Sequence, residues 1–151
     1  MSSRNCLSYW FPKLQAAGVP VPRTEIVRWP GEPWGLAELL DGKDPVGWKQ
    51  FLAELSAAVK RIGTPCFLRT GQSSGKHSWK DTCHLVHPEL LPHHIAALVN
   101  WSHMADMMGL MHDVWVVREM LPTTPIAILP NYGDMPLVRE MRGFVEGGQV
   151  L

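Results

Sequence analysis

The chain has 151 residues, its 14 Lys and Arg balance 14 Asp and Glu, and 46% of it is hydrophobic. Zero formal charge argues against a general polyanion binder, which needs a clear excess of cations to hold a phosphate backbone. No apolar run reaches the ~18 residues of a membrane span, and the length suits one domain with its own core.

The start, Met1 to Cys6, is polar and lacks a secretory signal, so a cytoplasmic protein is expected. Cys6, Cys66 and Cys83 are an odd set, which in a reducing compartment reads as free thiols packed like small hydrophobes. From Tyr9 a short helix runs until Gly18 stops it, and the rigid Val19-Pro-Val-Pro22 connector feeds a strand over Thr24 to Arg28. Trp29 to Pro45 is rich in Pro and Gly and is expected to be mobile loop, with a turn of helix over Leu36 to Leu40. Trp48, Phe51, Leu52, Leu55, Val59 and Ile62 recur at helical spacing, which predicts a helix stopped by Gly63. Pro65 to Thr70 follows as a short strand, and a second helix is expected from Pro92 to Gly109. Val114 to Leu121 reads as a strand, Pro122 to Pro136 as loop, Leu137 to Val145 as another strand, and Glu146-Gly-Gly-Gln149 as a hairpin turn. The repeat of Val-Arg-Glu-Met at Val117 to Met120 and Val138 to Met141 suggests two neighbouring strands. The order of elements predicts a mixed α/β or α+β fold, with antiparallel pairing towards the end. Most of the seven Trp residues are expected to pack in the core or against loops.

Three features could carry chemistry. Phe67 to Lys80 sets Arg69, Lys76 and Lys80 around a loop bracketed by Gly71 and Gly75. Glycine lets backbone N–H groups approach an anion, and Thr70, Ser73 and Ser74 add hydroxyl donors, so a polyphosphate is the natural ligand. The spacing is not that of a P-loop, and a solvated hairpin would show the same composition. Leu137 to Val145 places Val138, Glu140, Arg142 and Phe144 on one face of a strand and Leu137, Arg139, Met141 and Val145 on the other. Charges on both faces suit a ligand cleft, or an Arg–Glu ladder with Arg118 and Glu119. Cys83, His87 and His94 could supply three zinc ligands, but no closed four-ligand spacing exists, and surface or cap histidines are the simpler reading.

Taken together, Tyr9 to Thr24, Phe67 to Cys83, Trp115 to Leu121 and Met135 to Val150 resemble the ATP-grasp superfamily, in particular its small phage and bacterial members. These are similar to the cell-division-cycle 123 family of assembly proteins. The resemblance implies an incomplete ATP-grasp-like α/β domain over residues 1–151, with an N-terminal segment and loop (1–45), a phosphate-loop subdomain (46–121) and the start of a C-terminal subdomain (122–151). It implies that Arg69 touches ATP phosphates, with Lys80 nearby, and that Gly71, Ser73, Ser74, Gly75 and Lys76 belong to the loop that closes over them. The backbone of Glu119, Met120 and Leu121 would meet the adenine edge, and Arg142 would neighbour the phosphates and the substrate region, with Arg142 and Lys76 as the expected catalytic residues. The family chemistry is ATP-dependent carboxylate ligation through an acyl phosphate, with Mg²⁺ bridging the phosphates. The resemblance puts the Mg²⁺ ligands on strands after the Arg-bearing one, beyond Leu151, so either a C-terminally truncated ligase or a non-catalytic assembly module is expected. The implied partners are ATP, an assembly protein, or a second copy paired through an exposed terminal strand. A membrane or nucleic-acid partner is not expected.

Overall fold

The computed structural model describes residues 4–105, 110–140, 145–146 and 149–150, the last four in backbone only. It shows a mixed α/β fold in which helices flank antiparallel sheets. Helix α1 (Leu7–Ala16) gives way at Gly18, whose φ of +70° lies in the left-handed region that glycine enters without a Cβ penalty. Strand β1 (Thr24–Arg28) follows as expected. The next stretch holds a 3₁₀ helix over Gly35–Asp41 and is anchored to the core by buried Trp29 and Leu36.

Helix α2 (Trp48–Ile62) buries Trp48, Phe51, Leu55, Ala58, Val59 and Ile62, the stripe that the 3.6-residue period dictates. Lys60 and Arg61 sit in its last turn, where cations suit the carbonyl end, and Gly63 caps it. Strand β2 (Cys66–Thr70), the two-residue β3 (His84–Leu85) and helix α3 (Leu91–Met104) lead to β4 (Val114–Glu119). Pro92 lies in the first turn of α3, while the expected stop at Gly109 lies outside the described residues.

These four strands form one antiparallel sheet in the order β1-β4-β2-β3. Side chains alternate across it. Val27, Cys66, Leu68, Trp115 and Val117 join the main core with α2 and α3, whereas Val114 and Val116 pack with Cys6, Leu7 and Phe11 beneath α1, next to Ile26. All three cysteines are buried free thiols.

The stretch Pro122 to Pro136, read as loop, contains β5 (Pro125–Leu129) and a 3₁₀ turn over Pro130–Tyr132, and β6 (Met135–Val138) begins inside it. Among the described residues the two strands pair only with each other, with an irregularity between Pro125 and Ala127. A two-stranded ribbon leaves outer edges where a prolyl nitrogen costs no ladder bond. Strand β6 ends at Val138 instead of running to Val145, and β4 and β6 belong to different sheets, so the repeated tetrapeptide does not mark neighbouring strands. Strands β7 (Val145–Glu146) and β8 (Gln149–Val150) pair antiparallel, as the expected hairpin requires. Among the described residues no helix is long and apolar enough to cross a membrane.

Candidate functional site

The α1 side of the sheet is only partly covered. Helix α1 packs on Val114 and Val116, but the face continues along β2 and β4 to Phe67, Arg69 and Arg118. These three line a cleft of about 680 Å³ whose other wall is β6, with Met135, Pro136, Leu137 and Val138, followed by Glu140. Lys76 and Trp79 enter it from the turn after β2, and Glu119, Met120, Leu121 and Thr123 from the connection leaving β4. Five residues predicted from sequence therefore meet in one place: Arg69, Lys76, Glu119, Met120 and Leu121.

Arg69 Nε donates to the Thr70 carbonyl at 2.9 Å, and Arg118 Nε donates to Thr24 Oγ1 at 3.4 Å. The Arg118 guanidinium also lies 5.6 Å from the centre of the Phe11 ring. Among the described residues neither arginine has a carboxylate partner; the ion pairs involve other side chains. Burial pushes the Arg69 guanidinium below its ordinary pKa, and the positive charge of Arg118 pushes it the same way. Burial alone lowers that of Arg118. Arginine nonetheless keeps its charge in proteins, so the cleft holds two half-buried cations that form no ion pair among the described residues, an arrangement that favours a bound anion. Lys76 adds a third cation, its Nζ lying 5.9 Å from the centre of the Phe67 ring.

The carboxylate of Glu119 is already engaged. It accepts from Arg23 Nε at 2.9 Å and from the Arg23 backbone N–H at 2.8 Å, and these bonds hold it below the usual carboxylate range. Among the described residues Glu119 pairs with Arg23, and no ion pair of the expected ladder joins it to Arg139; Arg142 lies outside the described residues.

The glycine loop is placed differently from the expectation. Gly71, Ser73, Ser74 and Gly75 do not line the cleft. The Gly71 N–H donates to Val114 O at 2.7 Å, and its carbonyl accepts from Leu7 N–H at 2.8 Å. A Cβ at Gly71 would collide with the Cys6 sulfur, so this glycine permits the close approach of α1. The Ser73 N–H donates to Thr70 Oγ1 at 2.9 Å, and the Gly75 carbonyl accepts from Thr82 Oγ1 at 2.7 Å. The backbone N–H groups of Gly71 and Ser73, expected to face phosphate, are therefore spent on holding the loop.

Lys80 pairs with Asp134 and lies outside the cleft lining. It helps to seat the tip of the β5–β6 hairpin, where Trp79 N–H donates to Tyr132 O at 3.2 Å and the ring of His77 meets that of Tyr132. Arg142 lies outside the described residues. Cys83, His87 and His94 do not converge: the thiol is buried and pushed up to about 11 by burial, His94 Nδ1 lies 2.8 Å from Thr82 O, and exposed His87 faces Glu89.

Among the described residues no group of three or more His, Cys, Asp or Glu could hold a metal ion. The cleft carboxylates are Glu119, held by Arg23, and Glu140, so the described residues do not fit a Mg²⁺ site. Arg118 was missed from sequence because it reads as one half of a strand-edge Arg-Glu pair. The available signal was its alternation with Val114 and Val116 in a run of otherwise apolar residues. No known protein family, curated protein or solved structure matches the chain.

Proposed function

We propose that the cleft binds ATP, in a domain of the ATP-grasp type. The observation that carries this reading is Arg69, half-buried on the cleft wall with no acidic partner among the described residues. Lys76 stands by for the same phosphates. Met120 and Leu121 continue past Glu119, the last ladder residue of β4, where backbone N–H and C=O groups suit the edge of an adenine. Phe67, Met135 and Leu137 offer apolar surface to the faces of the ring. Nucleotide binding is the part of that reading which the cleft residues support. A second reading, a nucleotide-dependent assembly module, draws on Ile126 and Ile128, which stand 65% and 52% exposed on β5.

A ligand at one hundred times its dissociation constant stabilises a folded chain by about 2.7 kcal/mol. ATP, with or without Mg²⁺, is therefore expected to raise the melting temperature of the wild-type chain and not that of an Arg69→Ala, Lys76→Ala double variant. No shift in the wild type, or equal shifts in both, would reject the proposal.

A further inference from the structure

Besides Arg69 and Lys76, which the sequence singles out, the cleft contains a third cation, Arg118, and its surroundings fix its direction. We propose that Arg118 is a phosphate-holding residue in its own right and that, paired with Arg69, it selects a polyphosphate chain. This rests on the nucleotide reading of the cleft and names the part of the ligand that these strands hold.

Register comes first. Arg69 faces Val116 across the ladder and Phe67 faces Arg118, so the two arginines are diagonal neighbours on one sheet face. Such neighbours lie roughly 7–8 Å apart at the backbone, a span that suits successive groups of an extended anion. Two guanidiniums so close repel one another, and burial raises the cost of leaving them without an anion.

Orientation comes second. The Arg118 Nε is used by Thr24 Oγ1, and that hydroxyl donates its own proton to Pro22 O at 2.8 Å, which leaves its lone pairs to Arg118. Phe11 lies against the guanidinium from α1. With Nε engaged by Thr24, the described residues offer the Nη1 and Nη2 donors no hydrogen-bond acceptor, and a planar guanidinium presents them as the fork that phosphate oxygens accept. Helix α1 and strand β1, which contribute no lining residue of their own, therefore act on the cleft through Arg118.

Calorimetric titration of ATP and of inorganic tripolyphosphate into the wild type, Arg118→Gln and Thr24→Val tests this. Arg118→Gln is expected to weaken both ligands by a similar factor, about tenfold to a hundredfold, the value of one charge-assisted hydrogen bond. Thr24→Val keeps the charge and removes the hydroxyl that aims it, together with that hydroxyl's bond to Pro22 O, and is expected to weaken both by about twofold to fivefold. Unchanged binding in Arg118→Gln overturns the proposal, as does loss of ATP binding with tripolyphosphate binding intact. Should Arg118→Gln fail to fold, wild-type affinity for both ligands in Thr24→Val overturns it. A wild type that binds tripolyphosphate as tightly as ATP would overturn the nucleotide reading while leaving the arginine pair standing.

Discussion

On the α2 and α3 side of the four-stranded sheet, Leu68, Trp115 and Val117 are fully buried in one continuous core. On the opposite side of the same strands, one residue along, Phe67, Arg69 and Arg118 remain half-buried around a cleft. Both faces obey the same two-residue alternation and obtain opposite results from it. Apolar side chains gain by leaving water, whereas guanidiniums that do so without carboxylates lose hydration and recover it only from a ligand. One face stabilises the fold, and the other is the one on which the proposed site lies.

The sharpest way to break this comparison is to truncate each face. Trp115→Ala is expected to cost about 3–5 kcal/mol in urea unfolding, because Trp115 is fully buried against Phe51, with ring centres 5.7 Å apart. A loss near zero would mean that this face is not the core. Arg69→Met should instead leave stability unchanged or raise it by about 0.5–2 kcal/mol while abolishing the stabilisation by ATP. A large destabilisation would make Arg69 structural and erase the contrast between the faces.

A smaller effect concerns pH. Burial holds His94 below its ordinary pKa, and positive charge from His93 adds to this against the opposing bond to Thr82 O. Burial likewise lowers His84, helped by His94 and Lys80. A histidine whose folded pKa is depressed stays neutral while the unfolded chain takes up the proton. Stability is therefore full above the unfolded value of about 6.5 and declines as pH falls from there towards the folded values. Denaturant midpoints measured downward from pH 7 should show that decline, and a flat profile would contradict it. The smallest effect is expected from Lys80→Ala, since both partners of its ion pair with Asp134 are solvent-exposed and such pairs contribute less than about 1 kcal/mol. A greater loss would show that the hairpin tip is held chiefly by charge.

How far the sequence disclosed this arrangement depended on the range of the interactions involved. Helix α2 and strand β1 were legible to the residue, because an apolar stripe ending at Gly63 and a strand following Val-Pro-Val-Pro are local patterns. Strand β5 was not, because Pro122, Pro125, Pro130 and Pro136 mark turns unless the strands between them pair only with each other. The cations were legible as residue types, but their partners were decided by distant segments. Asp134 claims Lys80, Arg23 claims Glu119, and α1 takes the backbone of Gly71. Arg118 shows the same limit from the other side, since its surroundings are set by Thr24 and Phe11, far from it in the chain.

The most direct test of the central claim is a calorimetric titration of ATP into the wild-type chain and into the Arg69→Ala, Lys76→Ala variant. Saturable one-to-one binding in the wild type that disappears in the folded variant is the expected result. Absence of binding by a folded wild-type chain, or equal binding by the two, would contradict the account.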